Sequence, residues 1–223
     1  MELSITLLII VITAITSIGA LRNQNMMDNL IFYPPAISER KQWYRFFSHG
    51  IIHADAGHLI FNMYALYSFG SSLEHIFSFD CIFGRMGRLL FLILYVSALF
   101  MASFPDYIKY KDSYHFKSLG ASGAVSAVIF SSILFFPQNE IFIFFIPKGI
   151  PGWLFGILYL GISVYLDRRG GGRINHAAHF WGAAYGIIIT ILFCQFFAHN
   201  FSWLDNIKEQ IRTSSKFLTI YCN

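Results

Sequence analysis

The sequence predicts an all-α integral membrane protein, a bundle of six transmembrane helices in one domain. Of its 223 residues, 56% are apolar and only 13% are charged, a composition too apolar for a single soluble core. The sequence also contains repeated runs with few charges, and each run is long enough to cross, or nearly cross, a hydrocarbon layer about 30 Å thick. The predicted spans are residues 3–21, 58–77, 89–104, 122–136, 152–165 and 177–197.

Proline, glycine and charge define the connections between these spans. Residues 22–50 form a long polar and aromatic connection, and residues 167–175 form a short glycine-rich turn. Three prolines interrupt the apolar segment 137–153, so we expect it to lie at the membrane interface instead of crossing. We expect residues 1–197 to form the membrane domain and residues 198–223 to form a polar C-terminal tail.

The fourth span is predicted to be short, because it opens at Ser122 and Pro137 stops it. Its fifteen residues would cover only about 22 Å at a rise of 1.5 Å per residue. Ser122 would then lie below the membrane surface, and the chain before it would have to line a cavity. The fifth span, residues 152–165, is predicted to be equally short, and we regard it as a candidate lateral gate.

Composition argues against several classes of function. The three cysteines are odd in number and lack a CxxC spacing, so neither a disulfide framework nor a thiolate zinc site is indicated. A net charge of +4 without a basic stripe gives no reason to expect nucleic acid as a partner. A metal transporter could use His53, His58, His176 and His179 as ligands, but no HExxH motif or acidic ion path accompanies them. We therefore predict no metal and no cofactor.

The second predicted span carries two polar side chains near its start, where a helix facing lipid would avoid them. His58 and Asn62 are four positions apart, so they project from one face of the helix. They could donate hydrogen bonds to one reacting atom, or they could hold two helices together. The residues themselves leave both interpretations open.

In the sixth predicted span, His179, Gly182 and Gly186 fall on one narrow helix face. The two glycines let another backbone approach closely, and the helix that opens with Ser122 and Gly123 has equally small residues. This contact would place the Ser122 hydroxyl within reach of the His179 imidazole, which is the arrangement of an activated nucleophile. Helix packing alone explains Ser122 as well, but the combination favours a nucleophile and its base.

The segments "YRFFSHGIIHADAGHLIFN", "GASG" and "AHFWGAAYG" follow one another on successive spans. Together they resemble the rhomboid intramembrane serine proteases, of the bacterial six-helix type, over nearly the whole chain to about Phe197. The resemblance implies a nucleophile at Ser122, a general base at His179, and an oxyanion held by His58, Asn62 and the Ser122 backbone N–H. It also implies supporting roles for His53, Gly120, Gly123, Gly182, Gly186, Tyr44, Arg45 and Glu74.

The chemistry implied by the resemblance is serine endopeptidase acyl transfer, with membrane proteins as substrates that are cut in or near a transmembrane segment. Neither the fourth nor the sixth span contains Asp or Glu, so the machinery is expected to be a dyad. The family often has an aromatic residue one turn after the nucleophile, stacked on the base, where this chain has Ser126. We expect a neighbour such as Phe180 or Trp181 to compensate, or else a loosely held base. The alternative is a catalytically weak or inactive rhomboid-like protein that binds membrane partners.

The resemblance also implies a location in a bacterial inner membrane, with the active site toward the outer side. That orientation conflicts with the usual excess of basic residues in cytoplasmic loops. It places ten of the 16 Lys and Arg residues outside, namely Arg22, Arg40, Lys41, Arg45, Lys109, Lys111, Lys117, Arg168, Arg169 and Arg173. We follow the resemblance, because the charge rule is statistical.

Overall fold

The structure, a computed structural model, describes residues 4–142, 148–169 and 175–213. These residues form helices and one short hairpin. The helices are α1 (Ile5–Arg22), α2 (Gln24–Leu30), α3 (Pro34–Arg40), α4 (Arg45–Ser48), α5 (Ala56–Ala65), α6 (Ser71–Phe77), α7 (Gly87–Tyr110), α8 (Ser122–Phe135), α9 (Gly152–Arg169), α10 (His176–Phe197) and α11 (Trp203–Thr213). Strands β1 (Glu140–Ile141) and β2 (Ile150–Pro151) pair in an antiparallel hairpin. A π-helical turn, Leu66–Gly70, makes α5 and α6 one continuous rod.

Among the described helices, α1, α7 with the 3₁₀ turn before it, and α10 are long and apolar enough to cross a membrane. Helix α8 is apolar but has only 14 residues, or about 21 Å at 1.5 Å per residue. Helix α7 continues through Pro105 to Tyr110, beyond the predicted end at residue 104. The expectation that the fifth span is as short as the fourth is wrong. Helix α9 has 18 residues, because its helical hydrogen bonding continues through the polar residues that end at Arg169.

Helices α8 and α10 touch backbone to backbone at the two predicted glycines. A Cβ added at Gly182 would lie 2.1 Å from the carbonyl oxygen of Gly123, and one at Gly186 would lie 2.3 Å from that of Ala127. Neither space admits a side chain, so this contact depends on glycine. Ser131 adds a hydrogen bond across the same contact, its hydroxyl lying 3.1 Å from the carbonyl oxygen of Gly186.

The first connection is folded around Arg45, which is buried. Its Nη1 donates to the carbonyl oxygens of Asp28, at 2.9 Å, and Ile31, at 2.7 Å. The neighbouring Tyr44 is half exposed, and its hydroxyl donates to the carbonyl oxygen of Asn29 at 3.1 Å. The predicted Tyr44–Arg45 pair therefore lies in the connection, where it binds backbone carbonyl groups and not the dyad.

Glu74 fastens the start of α1 to α6. Its buried carboxylate accepts hydrogen bonds from the backbone N–H groups of Ile5, at 2.7 Å, and Thr6, at 2.9 Å. The hydroxyls of Ser4 and Thr6 donate to it as well, each at 2.8 Å. The first N–H groups of a helix lack partners within the helix, so an anion at this end accepts their hydrogen bonds. Its negative charge also interacts favourably with the positive end of the helix dipole.

The C-terminal region contains a helix that the sequence analysis does not predict. Residues 198–213 include α11, which packs against the end of α8. The Asn206 side chain donates to the carbonyl oxygen of Phe135 at 2.9 Å, and the ring of Phe201 stacks on the ring of Phe135 at 5.4 Å. The segment was predicted to be a polar tail because its amphipathic pattern was not recognised. Residues 214–223 of the predicted tail lie outside the described part of the chain.

Two further expectations concern the connections. Cys81 is disulfide-bonded, which the cysteine spacing does not indicate, whereas Cys194 is free and buried. In the segment 137–153, which is expected at the membrane interface, the structure describes residues 137–142 and 148–153, including β1 and β2; residues 143–147 lie outside the described part. Its position relative to the membrane stays a prediction.

Candidate active site

Ser122 and His179 meet at the N-terminal ends of α8 and α10. Ser122 is the first residue of α8, and His179 lies one turn into α10. The Nε2 atom of His179 is 2.7 Å from the Oγ atom of Ser122. The glycine contacts further along the two helices hold the residues at this separation. A hydroxyl in hydrogen-bond contact with an imidazole can become a nucleophile, because the ring can accept its proton.

The loop before Ser122 requires a glycine at position 120. Gly120 has φ of +113°, a backbone conformation that side chains strongly disfavour. A Cβ there would also lie 2.6 Å from the Cε1 atom of His58. The N–H of Gly120 donates to the carbonyl oxygen of His49 at 2.9 Å, and Ser118 pairs with Phe32 in a β-bridge. The loop is thereby tied to the first connection.

His53 supports the backbone next to Ser122. The Ser17 hydroxyl donates its one hydrogen to the carbonyl oxygen of Ile51, at 3.0 Å, so it accepts from the Nδ1–H of His53, also at 3.0 Å. The Nε2 atom of His53 then remains free to accept from the N–H of Ala121, 3.4 Å away. Burial lowers the pKa of His53 to about 3, which keeps the ring in the neutral form that this pattern needs.

His58 and Asn62 take different positions relative to Ser122. His58 lines the same cavity as Ser122, and its ring packs edge-on against His53 with centroids 4.9 Å apart. Asn62 is buried, and its side-chain amide donates to the carbonyl oxygen of His58 at 2.9 Å, within its own helix. Asn62 is not among the described residues that line the cavity.

A cavity of about 800 Å³ lies above Ser122. It extends between the end of α7, the loop that leads to Ser122, and the facing ends of α9 and α10. Its walls include Asp106, Lys109, Asp167 and His176. The volume is within the range of about 300–1,000 Å³ of ligand sites, and the polar wall can hold the water that hydrolysis requires.

Asn175 and Asp106 belong to this site, and the sequence analysis did not single them out. Asn175 is the N-cap of α10, and its Oδ1 accepts from the N–H of Ala178 at 3.1 Å. Its Nδ2 donates to Asp106 Oδ2 at 2.5 Å and to Ser118 Oγ at 3.1 Å. An asparagine directly before a helix is a recognisable N-cap signal. Asp106 lies just past the predicted end of the third span, in a predicted connection, so its position in the sequence did not indicate a role in the site.

The aromatic ring that faces His179 comes from α9. Tyr159 lies against His179 with ring centroids 6.1 Å apart and planes 25° apart. Phe180 and Trp181, the residues expected to fill this place, instead pack edge-on against each other at 5.4 Å. The expectation for those two residues is therefore wrong. Among the described residues, no three His, Cys, Asp or Glu side chains are grouped to hold a metal ion.

These features define a helical membrane protein with a serine–histidine pair at the start of a short apolar helix. A family model described as "Rhomboid domain" matches residues 40–196, and the chain belongs to the rhomboid family. It is an integral membrane protein, as its apolar helices and this family indicate.

Three relatives illustrate the similarity. The chain is 31% identical over 145 residues to RHOMBOID-like protein 12, mitochondrial, of Arabidopsis thaliana, covering 61% of this chain and 42% of that protein. It is 29% identical over 180 residues to the presenilin-associated rhomboid-like protein, mitochondrial, of Bos taurus, covering 73% of this chain and 41% of that protein. It is 27% identical over 161 residues to the rhomboid protease GlpG of Haemophilus influenzae, covering 71% of this chain and 74% of that protein. The chain thus spans about two fifths of the first two relatives' length.

Proposed function

We propose that this protein is an intramembrane serine endopeptidase that uses a Ser122–His179 dyad. Its substrates are membrane proteins, cut in or near a transmembrane segment. The observation that carries the proposal is the 2.7 Å contact between His179 Nε2 and Ser122 Oγ on the floor of a polar cavity. The membership of a protease, GlpG, among the relatives supports it.

In the proposed reaction, His179 accepts the proton of Ser122 while the hydroxyl oxygen attacks the scissile carbonyl carbon. The imidazolium then gives this proton to the leaving amine, and the peptide bond breaks to leave an acyl-serine. A water molecule, deprotonated by His179, hydrolyses the ester and regenerates Ser122. His58 and the N–H groups at the start of α8 are the proposed oxyanion donors, joined by Asn62 when its amide turns from the helix.

The architecture proposed for this chemistry has six membrane spans, formed by α1, the α5–α6 rod, α7, α8, α9 and α10. Helix α8 is the short fourth span, so Ser122 lies below the membrane surface. A substrate helix must unwind to reach it, because an intact helix holds its carbonyl groups in intrahelical hydrogen bonds. Helix-breaking residues near the scissile bond should therefore favour cleavage.

The proposal is tested with a fluorophosphonate probe and with cleavage of a single-span substrate in detergent. We expect Ser122→Ala and His179→Ala each to abolish labelling and cleavage without unfolding the protein, since the two groups act as one unit. Matched controls are Ser132→Ala, in the same helix, and His199→Ala, on the opposite end of the bundle; both should stay active. A Ser122→Ala protein with near-full activity would refute the proposal. A folded wild type that is neither labelled nor active would favour the alternative, an inactive rhomboid-like binding protein.

The location and orientation belong to the same proposal. The relatives described here include mitochondrial proteins and a bacterial one. We propose a bacterial inner membrane with Ser122 toward its outer side. Native cysteines are unsuitable reporters, since Cys81 is disulfide-bonded. A membrane-impermeant maleimide on intact cells should label Asp112→Cys, beside the cavity, above the parent protein, but not Arg85→Cys, at the other end. The opposite pattern would place the site in the cytoplasm.

A further inference from the structure

Helix α9 contributes to the site a side chain that the proposed mechanism does not use, Tyr159. Its ring is nearly parallel to the imidazole of His179, within the range of centroid distances for offset aromatic stacking. The same ring contacts Phe130 of α8, at 5.6 Å, and Phe155 of its own helix, at 5.7 Å. These contacts restrict the plane in which the ring can lie.

The hydroxyl of Tyr159 is joined to the nucleophile's own backbone. It lies 2.6 Å from the Oγ atom of Ser126. The Ser126 hydroxyl donates its one hydrogen to the carbonyl oxygen of Ser122 at 2.7 Å, so it can only accept from Tyr159. A directed chain of hydrogen bonds therefore runs from Tyr159 through Ser126 to Ser122. Ser126 is buried, so water does not compete readily for these bonds.

We infer that Tyr159 is a positioning residue for His179, anchored through Ser126, so that α9 completes the arrangement of the dyad. The inference rests on the proposed function. Neither α8 nor α10 contains an Asp or Glu that could orient the imidazole. The other ring close to the base, His176, meets it edge-on at 5.8 Å. Packing by Tyr159 supplies the orientation that a carboxylate supplies in a triad.

This assignment couples the base to the position of α9. Ser122 and His179 belong to α8 and α10, whereas the ring that orients the base belongs to a third helix. Helix α9 packs closely on α8 at this level, since a Cβ added at Gly156 would lie 3.3 Å from Phe130 Cε1. An outward displacement of α9 would break the Tyr159–Ser126 hydrogen bond and remove the ring from the imidazole.

The test compares five variants: Tyr159→Leu, Tyr159→Phe, Ser126→Ala, the double variant Ser126→Ala/Tyr159→Phe, and the control Tyr165→Leu, an exposed tyrosine of the same helix. Three quantities are measured in detergent: kcat and KM on a single-span substrate, the second-order rate of fluorophosphonate labelling, and the unfolding temperature. The small probe needs an activated Ser122 but does not require a transmembrane helix to pass α9. The labelling rate therefore separates positioning of the base from admission of the substrate.

We expect Tyr159→Leu to lower kcat and the labelling rate about 30- to 100-fold with KM within about threefold of wild type, because a misplaced base affects the chemical step. Tyr159→Phe keeps the ring and loses one hydrogen bond, so it should retain most activity, falling about 2- to 10-fold. Ser126→Ala should fall at least as far, because it removes this bond and also the one that Ser126 donates to the carbonyl oxygen of Ser122. The double variant should be no worse than Ser126→Ala alone, because Ser126→Ala already removes the bond that Tyr159→Phe removes. Tyr165→Leu should leave all three quantities unchanged.

Several outcomes would overturn the inference. One is a Tyr159→Leu protein with kcat within about twofold of wild type. Another is a raised KM with an unchanged labelling rate, which would assign Tyr159 to substrate admission. If Tyr159→Leu unfolds, additive losses from Tyr159→Phe and Ser126→Ala would refute the coupling. A wild-type protein that neither cleaves nor labels would instead refute the proposed function, and this inference with it.

Discussion

At the scale of the residue, Asn62 is the predicted oxyanion donor whose contacts differ most from that role. Its amide donates to the carbonyl oxygen of His58 in its own helix, whereas His58 faces the cavity above Ser122. An amide carries two N–H donors, and the described hydrogen bond occupies only one of them. Asn62 can therefore serve the oxyanion only if its second N–H, or a rotated side chain, reaches the cavity during the reaction.

We expect Asn62→Ala to lower kcat about 100-fold with KM little changed, the usual cost of losing one oxyanion donor. Steady-state cleavage of a single-span substrate measures both constants. Ser97→Ala is the control, because it removes an interhelical hydrogen bond, accepted by Ser97 from Tyr185 at 2.8 Å. That variant should lose a little stability and keep its kcat. If Asn62→Ala also lost only stability, Asn62 would be a residue that holds helices together.

At the scale of the element, the contact between α8 and α10 sets the separation of the Ser122 and His179 side chains. Gly182 and Gly186 allow the backbones to touch, and the N-terminal turns of both helices then bring Ser122 and His179 together. A shift of either helix would move its whole N-terminal turn. The proposed dyad therefore depends on these glycines as well as on its own two side chains.

Gly186→Leu should destabilise the protein by at least about 1–3 kcal/mol, because overpacking between two touching backbones leaves no room for relaxation. Its Cβ alone would meet the carbonyl oxygen of Ala127 at 2.3 Å. Unfolding in detergent measures the change, and activity should fall with it. Gly161→Leu is the matched control, since a Cβ at Gly161 meets nothing within 4 Å. An unchanged unfolding profile for Gly186→Leu would mean that the two helices meet on another face.

At the scale of the whole molecule, two buried histidines between α4 and α5 join this part of the chain to the loop that precedes Ser122. His49 accepts the N–H of Gly120 with its carbonyl oxygen, and His53 accepts the N–H of Ala121 with its ring. Burial lowers the pKa of His49 to about 4 and that of His53 to about 3. Both rings are neutral in the folded protein, but in the unfolded chain they take up protons near pH 6.5.

The stability of the fold should therefore fall in acid. Above about pH 7.5 neither state binds these protons, so the contribution is constant. Below about pH 6.5 the unfolded state binds more protons, and the free energy of unfolding should drop by up to about 1.4 kcal/mol per pH unit for each histidine. Thermal unfolding at pH 8, 6 and 5 checks this slope.

The matched variants for this prediction are His49→Leu and His115→Leu. The first removes a buried histidine and should make the acid slope shallower, whatever its effect on stability at neutral pH. The second removes an exposed histidine and should leave the slope unchanged. Equal slopes for wild type and His49→Leu would show that the acid sensitivity arises elsewhere in the molecule.

The sequence alone was sufficient for the features that depend on local patterns. Hydropathy located α1, the α5–α6 rod, α7, α8, α9 and α10, because a run of apolar residues has one favourable environment whatever surrounds it. It did not indicate the short helices α2, α3 and α4 within residues 22–50, which the sequence analysis treats as a polar connection. Pro137 located the end of α8, which the structure places at Phe135. The small residues at Gly182 and Gly186 predicted a close helix contact, and from that contact the proximity of Ser122 and His179.

Only the tertiary structure decided which faces of different helices meet. Tyr159 is one of several tyrosines in the apolar spans, and nothing in its own segment indicates that it faces His179. The hydrogen bonds of Asn175 with Asp106, and of Asn206 with Phe135, likewise join residues far apart in the chain. A periodic pattern determines what each helix face is made of, but the partner of that face depends on the packing of the whole bundle. The surroundings of His179 are therefore a property of the fold, while the choice of His179 as the proposed base comes from the sequence.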